Sequence, residues 1–145
     1  MRKYRSFRKP PFDLGEPICE RVLYYLDCGK RVRISIGRPQ LFDGNEDWLC
    51  PYQVVGLDRE VLDWAPGIDS LGSMIMAIEA VRANVEVSGL KLTQFLDGGE
   101  PDAGLPMYIP TGYGNEVHER LKTRVTTELD LILREKLGHD YDERV

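Results

Sequence analysis

The chain has 145 residues, 42% of them hydrophobic and 30% charged, with a formal net charge of −5. That length and balance belong to one ordinary soluble domain and exclude a disordered chain. They also argue against nucleic acid as the main ligand, since cationic neutralisation of phosphate supplies most non-specific affinity.

The charge is unevenly spread. Residues 1–16 read as a basic N-terminal arm, with Arg2, Lys3, Arg5, Arg8 and Lys9 before any acid. Beyond residue 9, 14 basic residues face 24 acidic ones. The arm lacks the apolar core of a secretory signal, and its prolines break a presequence helix, so a cytoplasmic location is expected. It reads as a solubilising or self-packing tail; Tyr4 and Phe7 give it a second reading, contact with RNA or an acidic surface. The remainder, 17–145, reads as a single α+β domain.

Residues 18–26 and 31–36 form the clearest hairpin. In the second run Val32, Ile34 and Ile36 face one way and Arg31, Arg33 and Ser35 the other. Asp27, Cys28, Gly29 and Lys30 between them are turn chemistry. Gly37, Arg38 and Pro39 end that strand, and residues 43–47 form a polar loop.

Trp48, Cys50, Tyr52 and Val54 line one face of a third strand. Pro51 within it has no N–H to give, which places it at an edge, a bulge or the strand's beginning. A turn at 56–59 leads to a fourth strand at 60–64. Four short strands joined by tight turns make an antiparallel meander.

A helix over 69–87 follows, with Asp69 or Ser70 as its N-cap. Leu71, Met74, Ile75, Ile78, Val81 and Val85 recur at three- and four-residue spacing and are expected to cover the sheet. No apolar run is long enough to span a membrane: the longest, 68–87, holds Asp69, Glu79, Arg82 and Glu86. Residues 90–96 read as a fifth strand and 97–104 as a loop. A long helix over 116–137, capped by Asn115 and stopped by Gly138, carries Val117, Leu121, Val125, Leu129, Ile132 and Leu133 on one stripe. It either covers the sheet or mediates a homodimer, and its stripe follows the α-helical period rather than a strict heptad, which favours a globular contact over a coiled coil.

Residues that carry chemistry are sparse. His118 and His139 fit no ligand or catalytic pattern, and His139 reads as a helix-dipole residue. Cys19, Cys28 and Cys50 match no zinc or redox spacing, and Cys50 reads as apolar filler. Asp69 and Ser70 are explained by capping. Neither the glycines at 98–99 nor the acidic loops match a phosphate loop or a calcium loop, so no cofactor and no metal is expected. The acidic loops have a better use. Asp43, Glu46 and Asp47, and then Asp97, Glu100 and Asp102, are expected to attract a basic protein partner. The competing expectation is a small-molecule or catalytic pocket near Cys50, Tyr52, Asp69 and Ser70.

The strand end Ile36 to Pro39 (IGRP), the run 47–56 (DWLCPYQVVG) and the run 67–78 (GIDSLGSMIMAI) resemble a family of small uncharacterised bacterial proteins. Their shared pattern is I-G-x-P, W-x-C-x-Y and G-x-D-S, and the resemblance covers residues 18–96. Some of its members look like immunity proteins of toxin systems. The resemblance implies an acidic surface that masks a cationic toxin, and implies no catalytic residues. This chain departs from it at Gly72, Ser73 and Met74, where a Gln-Ala-Leu-like continuation is the pattern. The expectation is therefore an α+β fold, an antiparallel meander of about five strands with one helix on a face and a long C-terminal helix, acting as a non-enzymatic binding protein.

Overall fold

In a computed structural model of the chain, residues 13–42, 47–109 and 112–138 are described. Most of the basic arm, Asp43, Glu46 and His139 lie outside these residues. The described residues form two compact units that divide after Met107.

Alternation builds the first unit. Strands β1 (Cys19–Tyr25) and β2 (Arg31–Ile36) pair antiparallel with Leu23 opposite Val32 and Arg21 opposite Ile34. Their turn closes through the Gly29 N–H on the Tyr25 carbonyl at 2.8 Å, and Gly29 takes the positive φ of 69° that the turn requires. Val32, Ile34 and Ile36 enter the core as their period predicts, while Arg31 and Arg33 are exposed.

Strand β3 (Gln40–Leu41) continues the line of β2, and both pair with β4 (Trp48–Val55). Ile36 lies opposite Tyr52 but Gln40 lies opposite Leu49, so four residues on one side span three on the other. One residue of Gly37, Arg38 and Pro39 is thus extra, which is a β-bulge. Pro51 sits across from that bulge, accepting from the Gly37 N–H at 2.8 Å. A proline is thereby accommodated in a central strand. Strand β5 (Val61–Gly67) pairs with the other side of β4 along its whole length, and among the described residues it has no further strand neighbour.

Helix α1 (Ser70–Val87) covers one face of this sheet. Asp69 is its N-cap, its side chain accepting from the Gly72 N–H at 2.6 Å. The buried face differs from the expected stripe. Ser73, Ala77, Val81 and Val85 are buried, whereas Leu71 is 65% exposed. The reason is close approach: the start of α1 lies so near β5 that a Cβ on Gly67 would fall on the Ser73 backbone nitrogen. Only small side chains fit in that seam, so the bulky ones turn outward.

After α1, strand β6 (Leu92–Thr93) joins the free side of β1. The expected strand over 90–96 stops there. Thr93 Oγ1 accepts from the Phe95 N–H at 3.2 Å and turns the chain away. The result is an open antiparallel sheet with β6, β1, β2 with β3, β4 and β5 in spatial order, an α+β fold.

The second unit holds α2 (Asn115–Leu137). Gly114, not Asn115, is its N-cap, and Gly138 ends it with φ 57°. Glu116 in the first turn and Arg134 and Lys136 in the last suit the helix dipole. None of its side chains is buried. Among the described residues no helix is long and apolar enough to cross a membrane.

Candidate binding loop and the sites it competes with

The loop after β6 is fixed at its base. The Gln94 N–H donates to the Asp102 carbonyl at 2.8 Å, and the Asp102 N–H donates to the Leu92 carbonyl at 2.9 Å. The Asp102 carboxylate accepts from the Gly104 N–H at 2.8 Å, and Gln94 Nε2 lies 3.4 Å from its other oxygen. From the neighbouring strand β1, Arg21 donates to the Ala103 carbonyl at 3.2 Å and to the Gly104 carbonyl. Asp102 is therefore a residue that closes the loop.

What the closed loop displays is a mixed surface. Phe95 is 54% exposed and Leu96 74%, and Asp97 and Glu100 follow with their carboxylates in solvent. An aromatic and an aliphatic side chain beside two carboxylates, on a segment tied at both ends, combine the features of an interface anchor and an electrostatic guide. Sequence periodicity hid Phe95 and Leu96, because an apolar run after a helix reads as a strand interior. The glycines at 98 and 99 were the available signal that the run ends in a loop.

The other acidic segment roots elsewhere. Asp47 is half-buried at the entrance to β4, and its carbonyl accepts from the Phe42 N–H at 2.9 Å. Its expected companions Asp43 and Glu46 lie outside the described residues. Thr93 lies opposite Tyr24, and Tyr24 opposite Arg31, which puts β6 level with the Val55 end of β4, whereas Asp47 precedes the Trp48 end, so the two acidic segments root at opposite ends of the sheet.

The competing pocket fares differently. Cys50 is fully buried, and burial above all, with Cys19 nearby, pushes its thiol up to about 12. A thiol in that state supplies no thiolate near neutral pH. Tyr52 is also buried, its hydroxyl pushed up to about 12 by burial and then by Asp63. Asp69 is engaged in capping, and Ser70 is an exposed first residue of α1.

On the sheet face opposite α1 lies a shallow concavity of about 470 Å³, lined by Glu20, Val22, Arg31, Arg33, Ser35 and Gln53 among others. Two of its polar side chains are already engaged: Ser35 Oγ donates to Glu20 Oε1 at 2.9 Å, and Gln53 Nε2 donates to Glu60 Oε1, outside the concavity, at 2.8 Å. The Ser35–Glu20 contact sets a hydroxyl against a carboxylate, with no histidine among the lining residues. Among the described residues no group of three or more His, Cys, Asp or Glu side chains converges to hold a metal.

The chain belongs to the family DUF6968, a domain of unknown function, whose family model matches residues 19–107. That span runs from β1 through β6 and the closed loop and stops short of α2. No curated protein and no solved structure matches the chain.

Proposed function

We propose that this chain is a non-enzymatic, cytoplasmic protein-binding module that captures a basic protein through the loop closed by Asp102. The observation that carries this reading is the exposure of Phe95 and Leu96 beside Asp97 and Glu100 on a loop fixed at its base. Fixing the loop in advance lowers the ordering cost of association, and the apolar pair gives the partner something to bury. The carboxylates select a cationic partner and speed its approach. Across the described part of the first unit, fourteen acidic residues face eight basic ones, which extends the same preference over the surface.

The resemblance to immunity-like proteins makes the partner concrete as a cationic toxin, masked by charge and shape. In that arrangement Asp97 and Glu100 touch the partner, Asp102 holds the loop, and Asp43, Glu46 and Asp47 add to the field. The test is capture from lysate of the source organism, washed at low and high salt, with wild type and the D97K/E100K variant in parallel. The expected result is one basic protein held by wild type at low salt and lost by the variant, with Phe95→Ala weakening capture at least tenfold. A partner retained equally by wild type and D97K/E100K overturns the reading.

A further inference from the structure

Several cations of the first unit are engaged with their surroundings. Arg21 donates to the Ala103 and Gly104 carbonyls, Lys30 lies 5.5 Å from the centre of the Tyr25 ring, and Arg82 pairs with Glu79 and Glu86. Arg31 and Arg33 differ. Both are exposed, both line the concavity on the sheet face opposite α1, and they are its only cations. Among the described residues neither guanidinium takes part in an ion pair or a side-chain hydrogen bond.

Strand register holds the pair in place. Arg31 and Arg33 are two residues apart on β2 and so point to one face, about 7 Å from each other along the strand. Arg33 stands between Val22 of β1 and Val55 of β4, which are 37% and 40% exposed and form an apolar shoulder on each side. The next row of the same face is Glu20, Ser35 and Gln53. Ser35 is buried there and donates to Glu20, so the nearest carboxylate of the concavity is tied to a hydroxyl rather than to either guanidinium.

The two ends of the concavity thus offer opposite chemistry. Arg31 and Arg33 present donors only. In the other row the second Glu20 oxygen and the Gln53 amide oxygen are left to accept, since Ser35 takes the first Glu20 oxygen and the Gln53 amide nitrogen is on Glu60. Apolar surface lies between. The volume of about 470 Å³ is that of a small-molecule site.

The donor end selects its anion by oxygen count. One guanidinium fork satisfies the two oxygens of a carboxylate, whereas a phosphate monoester brings about two negative charges and three terminal oxygens, enough for both arginines. The acceptor row, about 7 Å further along the strands, calls for N–H donors on the same molecule. We propose that the concavity binds a nucleoside monophosphate whose base carries an amino group. Its phosphate lies on Arg31 and Arg33, its ring surface along Val22 and Val55, and its amino edge toward Glu20 and Gln53. This site uses none of Phe95, Leu96, Asp97 or Glu100, so it stands apart from the proposed capture of a basic protein.

The test titrates the full chain with adenosine 5′-monophosphate to about 10 mM, followed by backbone amide NMR shifts. Adenosine, ribose 5-phosphate and inorganic phosphate are titrated in parallel. The expected result is saturable shifts centred on residues 20–22, 31–35 and 53–56, with the nucleotide bound at least tenfold more tightly than any of the other three. Arg31→Gln and Arg33→Gln are each expected to weaken it at least tenfold, and Lys91→Gln, outside the concavity, to leave it unchanged. The same spectra check that each variant is folded. Absence of shifts at the highest nucleotide concentration overturns the inference. So does equal affinity in both arginine variants, or any of the three fragments binding as tightly as the nucleotide.

Discussion

The two helices of this chain invert the relation between sequence pattern and burial. Helix α2 displays the cleaner amphipathic stripe, yet none of its side chains is buried. Helix α1 has the less ordered pattern, with Leu71, Ile75 and Met76 outward, and it buries Ser73, Ala77, Val81 and Val85 against the sheet. The difference lies in what each helix meets. At β5 the backbone of α1 comes close enough that only small side chains fit between, and contact there is made by proximity rather than by bulk. A stripe of large residues states what a helix is able to bury; a stripe of small ones states how near its partner comes.

The comparison is sharpest for single core side chains. Leu23→Ala empties a fully buried site in the core of the sheet unit and is expected to cost about 2–5 kcal/mol. Leu129→Ala, at a position 53% exposed on α2, is expected to shift the unfolding of the sheet unit by less than about 0.5 kcal/mol in dilute protein. Urea titrations followed by tryptophan fluorescence read this difference, since Trp48 and Trp64 both lie in the sheet. Similar costs at the two positions would break the contrast.

The core beneath α1 also has an alkaline signature. Cys50 and Tyr52 ionise near pH 12 in the fold, against 9.0 and 10.0 as unperturbed groups. A raised folded value on an acid means that folding favours the protonated form. The stability it lends is therefore complete below the unfolded value and is lost as pH climbs toward 12. Between about pH 9 and pH 10.5 the sheet unit is expected to lose on the order of 2 kcal/mol, measured as a falling urea midpoint. At pH 8 a thiol reagent is expected to label Cys19 and Cys28, which are exposed, and to reach Cys50 only after unfolding. Rapid labelling of all three thiols would mean the core is open where it is described as closed.

The smallest effect tests how α1 is started. Asp69→Ala removes the side-chain acceptor for the Gly72 N–H and is expected to cost about 1 kcal/mol. Asp69→Asn, which keeps an acceptor oxygen, is expected to restore most of it. Equal losses in both variants would show that Asp69 acts through its charge rather than its cap.

Much of this was legible in the residues. The alternation of Val32, Ile34 and Ile36, a helix N-cap at Asp69 or Ser70, and the need of Pro51 for an edge, a bulge or a strand's beginning all follow from local rules; the structure selects Asp69 and the bulge. What escaped was set by contacts distant in sequence. The face that α1 buries depends on Gly67 and β5, which hydrophobicity alone does not weigh. The early end of β6 depends on Asp102 returning beside Leu92, nine or more residues later, and with it goes the exposure of Phe95 and Leu96. Half of the acidic surface was readable as composition. That Asp102 serves the loop's closure while Asp97 and Glu100 face outward required the hydrogen bonds.

Strand β5 carries one further consequence. With β4 on one side and no described strand on the other, its outer border is where copies of a sheet protein add to one another into fibres. Pro66 contributes no N–H to such an addition, and Asp63 brings a charge that successive layers would stack against its like. The border is thereby unsuited to templating the addition of a second copy's strand.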